Sequence, residues 1–235
     1  MVQKSKRYRA AAAKIDHNKK YDLGEAVKLL KECGGTKFDQ TVNIAIKLGI
    51  DPKQSDQTIR GSVSLPKGTG KTLRVVAFCQ GPDIEAAKAA GAIAAGVDDL
   101  VEKVQGGWLD FDVAIATPDV MPKVGRLGRV LGPKGLMPSP KGGTVSKDIV
   151  TATREFSGGK IEFRNDADGN VHAPVGKLSF AEKDLEENIT AFLGHVRSMR
   201  PAAAKGVFLE KAVVSSTMGP GIMLSIEADV RAATH

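Results

Sequence analysis

The chain has 235 residues, enough for one large domain or two modest ones, with 42% hydrophobic and 26% charged residues, as in soluble globular proteins. A net charge of +7 and a pI near 9.4 point to a polyanionic partner. No uncharged apolar run reaches the roughly 18 residues of a membrane span. The basic N-terminus lacks the apolar stretch of a signal peptide, and Cys33 and Cys79 form no CxxC and have no nearby histidine. Composition therefore argues against a membrane anchor, a disulfide framework and a metal centre, and fits a soluble cytoplasmic protein.

The segment from Lys4 to Ile15 is basic and alanine-rich, helix-forming but with little apolar periodicity, so it orders only against the body or a partner. Asp22-Leu-Gly-Glu25 reads as a capping box for a helix with Leu23, Ala26, Val27 and Leu30 on one face, ended by Gly34-Gly35. From Thr41 to Ile50 apolar residues alternate with polar ones, a half-buried strand, and Thr58 to Leu65 is a shorter extended segment. A turn-rich basic linker, Pro66 to Lys71, follows.

Beyond it the pattern changes. Leu73–Phe78 is a nearly continuous apolar run, the mark of a strand buried on both faces. Gly81-Pro82 opens a helix through Ala90, Val97 to Val101 offers a short strand or strand edge, Asp112–Ala116 is a second buried strand, and Thr117-Pro118 caps another helix. A basic loop from Gly125 to Gly143 and a helix from Ser146 to Phe156 complete an α/β unit with a mostly parallel sheet. After Ser157-Gly158-Gly159 antiparallel signals return. Lys160–Phe163 and Asn170–Val175 flank the turn Asp166-Ala-Asp-Gly169 as a hairpin. Ser179-Phe-Ala-Glu182 is a capping box for a long helix burying Leu185, Ile189, Phe192, Leu193 and Val196. Val207–Val214 and Ile222–Ile226 form a last hairpin around Ser215-Ser-Thr-Met-Gly-Pro-Gly221.

The expected fold class is thus α/β and α+β in two domains. An α+β domain is formed by both chain ends (1–66 and 159–235), and a Rossmann-like α/β domain (67–158) is inserted into it. Gly-containing linkers at entry and exit let the insert hinge.

Charge is unevenly spread. Residues 1–65 hold 13 Lys and Arg against 7 Asp and Glu, and Met121 to Lys147 holds six Lys and Arg with no acid. Either run alone reads as a solvated surface; together they favour a nucleic-acid surface. Gly68-Thr-Gly70-Lys71-Thr72 is not a phosphate-binding loop, because Leu65 stands where that motif needs Gly and a strand follows in place of a helix. No G-x-S-x-G or HExxH occurs, and the four histidines are scattered. Asn188-Ile-Thr190 matches a glycosylation acceptor, without meaning in a cytoplasmic chain. The Ser215–Gly221 stretch reads either as an ordinary Gly-Pro-Gly hairpin or as a contact surface, in which small hydroxyls, a flexible thioether and glycine let a partner approach. Phe38 reads as core or as a contact, and His172 as structural or as facing a ligand. Leu131 to Gly143, rich in Gly and Pro with spaced lysines, offers N–H groups and cations to phosphates. Few aromatics and no RNP signature argue against a base-stacking RNA reader. An enzyme using the insert as a nucleotide domain, and a DNA-binding regulator, are the rival readings.

Lys37–Thr41, Arg60–Pro66, Gly128–Pro138, Phe163–Asp166, His172–Lys177 and Ser216–Gly221 together resemble the bacterial ribosomal protein L-one family, nearly end to end; the tail 227–235 carries none of these motifs. The resemblance implies a non-enzymatic protein of the large ribosomal subunit, without cofactor or small-molecule substrate. It implies binding to 23S rRNA in the mobile stalk, contact with exit-site tRNA during its release, and repression of its own operon through the mRNA. It places the main RNA contacts on Lys37, Phe38, Thr41, Thr217, Met218 and Gly219, with Ser215, Arg164 and His172 beside them. Lys4, Lys6, Arg7, Lys134 and Lys141 are secondary basic contacts.

Overall fold

A computed structural model describes residues 4–54, 56–204 and 206–226; the tail 227–235 lies outside the described residues. Its elements begin with helices α1 (Lys6–Ala12) and α2 (Leu23–Glu32), then strands β1 (Thr41–Leu48), β2 (Arg60–Ser64) and β3 (Val75–Phe78). Helix α3 (Asp83–Ala89), strand β4 (Ala94–Gly96), helix α4 (Asp98–Gln105) and strand β5 (Val113–Ala116) follow. Short helices α5 (Met121–Val124) and α6 (Gly128–Leu131) lead to α7 (Ile149–Ser157). The chain closes with β6 (Lys160–Arg164), β7 (Asn170–Lys177), α8 (Glu182–Ser198), β8 (Leu209–Ser216) and β9 (Gly221–Leu224). The described residues fall into two compact units. Among the described residues the first draws on positions from 4 to 59, 65 to 70 and 163 to 226, and the second on 60–64 and 71–162. None of the helices described is long and apolar enough to cross a membrane.

In the first unit four antiparallel strands run in the order β7-β1-β8-β9. Strand β1 lies inside the sheet, and its alternation sends Val42, Ile44, Ile46 and Leu48 to the buried face. Helix α2 offers Ala26, Val27 and Leu30 to this core, and α8 offers Leu185, Ile189, Phe192, Leu193 and Val196. The Phe163 ring meets Phe192 edge-on at 5.3 Å. Asn188 is fully buried in α8. Its Oδ1 accepts from the Lys67 N–H at 3.0 Å, while Nδ2 donates to the carbonyls of Gly68 at 3.0 Å and Val175 at 2.8 Å. This side chain ties segment 65–70 to the first unit and is closed to modification. Helix α1 does find a packing face: Ala11 and Ile15 are buried, and the Cys33 thiol points to the Ala11 carbonyl.

The second unit has a three-stranded parallel sheet in the order β4-β3-β5. All four residues of β3 are buried, as its apolar run predicts. Val76, Phe78 and Ala116 face Leu100, Val104, Leu127 and Leu131 on one side, while Val75, Ala77 and Ile115 face Ala87, Ile149 and Phe156 on the other. Cys79, like Cys33 in the first unit, is a buried free thiol whose pKa burial pushes up.

Several expectations change. Val97–Val101 is not a strand. The strand is Ala94–Gly96, chosen by parallel pairing with β3 despite its poor propensity, and Asp98 and Asp99 open a helix whose N-terminus favours their charge. The basic loop starts only after α6, because Leu127 and Leu131 are needed in the core. Pro118 begins a single 3-10 turn before α5 in place of one continuous helix. Helix α7 begins at Ile149, where the Asp148 carboxylate accepts from the Thr151 N–H at 3.1 Å. Neither predicted capping box forms: Asp22 makes no side-chain cap, and the cap of α8 is Ala181, because Ser179 bonds Asp39 instead. The hairpin around Asp166 is also absent as a ladder. Strand β6 pairs with β2 and β7 with β1, leaving one bridge, Asn165–Val171. Its turn is nonetheless built, with the Asp166 carboxylate accepting from the N–H groups of Asn170 at 2.7 Å and Asp168 at 2.9 Å.

Replacing Asn188 by alanine strips one buried and two part-buried backbone groups of partners, at about 1–3 kcal/mol each where they stay unsatisfied. The expected result is a urea midpoint lowered by the equivalent of about 3 kcal/mol or more. In the second unit Asp112 accepts from Arg74 and Lys71, each at 3.1 Å, and the Arg74 guanidinium holds its pKa down from 3.8 to about 2. A depressed carboxylate stabilises the folded state above pH 3.8, and that contribution is lost as pH falls through about 2. Asp112→Asn should flatten the acid limb of stability over this interval, read by thermal melts across pH.

Candidate nucleic-acid interface

Strand β8 ends at Ser216 and β9 begins at Gly221, so Thr217-Met-Gly-Pro220 is the connecting turn. Ser215 and Ser216 belong to the strand, not to the turn the sequence suggested. The Gly219 N–H donates to the Ser216 carbonyl at 3.0 Å, closing the bend. A Cβ on Gly219 would lie 2.3 Å from Ser216 Oγ. Any larger residue there would therefore have to displace the Ser216 hydroxyl. Ser216 Oγ is itself buried with no hydrogen-bond partner among the described residues.

The turn is locked to the start of β1, far away in sequence. The Thr217 N–H donates to the Thr41 carbonyl at 3.1 Å. The Thr217 hydroxyl accepts from the Thr41 N–H at 3.1 Å and lies 3.2 Å from the Thr41 carbonyl, to which it donates. Read from sequence, this hydroxyl is a free donor and acceptor; in the structure its proton is engaged internally. Next along, the Met218 N–H donates to Gln40 Oε1 at 2.9 Å. Gln40 is only 1% exposed, and its carbonyl accepts from the Leu178 N–H at 2.8 Å. Lys177 Nζ donates to Thr41 Oγ1 at 3.0 Å. The result is a stiff corner from which Met218 projects, 51% exposed. Beside it Phe38 is 54% exposed, a surface residue and not a core one, and Lys37 is exposed too. Thr36 Oγ1 donates to the Phe38 carbonyl at 2.8 Å and shapes this loop. The exposed Asp39 carboxylate accepts two bonds from Ser179, at 3.1 and 2.8 Å.

Behind the corner lies the face of the sheet that the helices leave open. Register places Pro174, Asn43, Ser215 and Gly221 in one row, and His172, Ala45, Val213 and Met223 in the next. His172 is exposed there, its Nε2 3.8 Å from Asp166 Oδ2. Asn170, through its backbone N–H first, holds the Asp166 pKa below the ordinary carboxylate value. Arg164 is exposed at the end of β6. On α1, Arg7 packs beside Gly35, whose Cβ would lie 3.8 Å from Arg7 Cδ, while Lys4 covers the Tyr8 ring at 4.7 Å and Lys6 is exposed. Lys134 and Lys141 are exposed in the second unit, in the loop after α6.

Thr41, Thr217, Met218 and Gly219 thus meet at one corner of the first unit, with Ser215 on the strand that enters the turn and Lys37 and Phe38 on the loop before β1. His172 sits on the adjoining open face. The residues sequence reasoning passed over are Gln40 and Lys177, which shape the corner. Gln40 did leave a signal: it falls on the buried parity of β1, two before Val42, where a polar side chain needs a partner.

The description "Ribosomal protein L1p/L10e family" matches residues 29–220. Among curated relatives, the large ribosomal subunit protein uL1 of Lactobacillus acidophilus is 55% identical over 224 residues, 95% of this chain and 97% of its own length. The protein of the same name from Leifsonia xyli is 55% identical over 228 residues, 97% of this chain and all of its own. That from Kosmotoga olearia is 52% identical over 224 residues, 95% and 97% of the two chains. Gly219→Val should disturb the corner through Ser216 before any ligand is present. Amide hydrogen exchange at Met218 and Thr217 is expected to quicken, with the exchange of β3 in the second unit unchanged.

Proposed function

This chain belongs to the ribosomal protein L1p/L10e family, and from that premise we propose that it is a structural and regulatory RNA-binding protein of the large ribosomal subunit. Its first unit grips 23S-type rRNA through the corner built on Thr41, Thr217 and Met218. Its second unit hinges and adds contacts through Lys134 and Lys141. The protein works ribosome-bound in the cytoplasm, touches exit-site tRNA as it leaves, and represses its own operon by binding an rRNA-like element in the mRNA. The reading assigns no catalysis, cofactor, membrane or small-molecule substrate.

One observation carries it: the Met218 turn is fixed in place by four hydrogen bonds to Gln40 and Thr41 before any partner arrives. A pre-shaped corner with an exposed thioether, an exposed ring and a nearby lysine suits a folded RNA, read through its shape, sugars and phosphates. Preorganisation removes ordering costs that a flexible turn would bring to binding. The Thr217 hydroxyl acts by holding the corner, and it retains a lone pair for a ribose hydroxyl. Lys37, Lys4, Lys6 and Arg7 supply the salt-dependent part of the affinity, with His172, Ser215 and Arg164 flanking.

Filter binding against an rRNA fragment, duplex DNA and ATP tests the reading, with RNA titrated at several salt concentrations. RNA should win by orders of magnitude. Thr217→Ala and Met218→Ala should each weaken RNA binding roughly 5- to 150-fold, equivalent to about 1–3 kcal/mol, with the salt slope unchanged. Lys37→Ala or Lys4→Ala should instead lower that slope by about one. Equal slopes for all variants, or equal affinity for DNA, would refute it.

A further inference from the structure

We propose that a cationic groove at the opposite end of strand β8 is a second binding site for phosphates of the same RNA, an inference that rests on the RNA-binding reading of the Met218 corner. Strand β8 starts at Leu209, but its edge partner β9 stops at Leu224, opposite Ala212. Residues Leu209–Lys211 therefore run on past the edge strand, and a groove of about 540 Å3 opens there. Lys20, Arg197, Arg200 and Lys211 line it over a floor that includes Phe208 and Met223, with Glu210 the one acid among these lining residues.

The cations are not there to pair with the protein's own carboxylates. Among the described residues, no ion pair engages Lys20, Arg197, Arg200 or Lys211. Arg200 instead donates through Nη2 to the carbonyls of Ala204 at 3.1 Å and Gly206 at 3.0 Å, which fixes its guanidinium at the rim. Arg197 lies in the last turn of α8 and Arg200 just past its end, where the Arg200 N–H donates to the Arg197 carbonyl at 3.3 Å, and both line the groove with planar forks of donors. Such a pair matches phosphate oxygens.

A separate observation comes from strand register. Lys211 lies directly opposite Lys47 on β1, and like charges placed so are mutually destabilising. Lys47 turns its ammonium to the Asp168 carbonyl, leaving Lys211 without compensation. A polyanion over this end of the sheet would relieve both. Between Lys211 and the Met218 corner the open face carries Ala45, Val213, Asn43 and Ser215, side chains too short to block a ligand lying along it. From Lys211 to Thr217 is six residues of strand, roughly 20 Å. One RNA helix can span both.

An acidic polypeptide fits less well. Its usual route would be to add a strand to the exposed edge, but Tyr21 already holds the outer side of β9. The Tyr21 N–H donates to the Met223 carbonyl at 2.9 Å, and the Tyr21 carbonyl accepts from Ser225 at 2.8 Å. Only a three-residue stretch of β8 is left, too short for strand addition.

The test uses the full chain, an rRNA fragment trimmed to fill the Met218 corner, and the same fragment extended by a helix of about ten base pairs. Arg197→Ala/Lys211→Ala is compared with wild type and with a charge-matched control, Lys28→Ala/Lys53→Ala; Arg200 is left intact because it holds the carbonyls of Ala204 and Gly206. The groove variant should bind the short RNA like wild type. It should bind the long RNA about tenfold more weakly at 0.1 M salt, with a salt slope lower by about two. The control should change neither affinity by more than about twofold. Equal losses on both RNAs, a loss matched by the control, or no loss on the long RNA would each overturn the second site while leaving the corner intact. Competition by poly-glutamate at the groove with no effect on long RNA would assign the surface to an acidic protein and overturn it as well. Wild-type protein that bound neither RNA would remove the parent reading and the groove together.

Discussion

The bonds that join Thr217 and Met218 to Gln40 and Thr41 connect residues 176 to 178 apart in sequence, and the rest of the first unit serves to make them possible. Strand β1 can offer Thr41 to the turn only because β8 lies against it in the register that sets Val42 opposite Ser216. That register is fixed in turn by the alternation of β1, since a slip of one residue would carry Val42, Ile44, Ile46 and Leu48 out of the core. Hydrophobic burial thus sets the placement of a polar corner to within a hydrogen bond. Both ends of the chain must be present before the corner exists.

The second unit follows a different rule. Its sheet is parallel and covered on both sides, so its strands are short and wholly apolar and its positioning groups lie at strand ends and in loops. Asp112 shows how: one carboxylate gathers Lys71 and Arg74 where β3 and β5 enter the sheet. The basic loop after α6 is also shaped rather than slack. The Thr144 hydroxyl accepts from the Ser139 N–H at 2.8 Å, and a Cβ on Gly142 would meet Glu162 Oε1 at 2.4 Å. Lysines on such a loop are presented at defined places.

Much of this was legible in the residues. The apolar run of β3, the alternation of β1 and the apolar stripe of α8 each gave the right element, because burial leaves a periodic trace. Where local chemistry competed with tertiary contacts, the sequence misled. Ser179 looks like a helix cap, yet its hydroxyl is drawn to Asp39, 140 residues earlier. Ala94–Gly96 has no strand propensity and is a strand only because β3 lies alongside. The corner shows the same division. Phe38, Thr217 and Met218 stood out through a family resemblance, whereas the clamp that positions them needs the pairing of distant strands. Gln40 was hidden because a buried polar side chain is explained only by the partner it finds, and that partner is a backbone amide nearly the whole chain away.

The two cysteines have a consequence of their own. Cys33 lies in the first unit and Cys79 in the second, both buried and both disfavoured as thiolates by burial. A thiol so placed reacts with an alkylating reagent only when its surroundings open. The molecule therefore carries one chemical reporter per unit, and the two modification rates time the breathing of each half separately, with no engineered label.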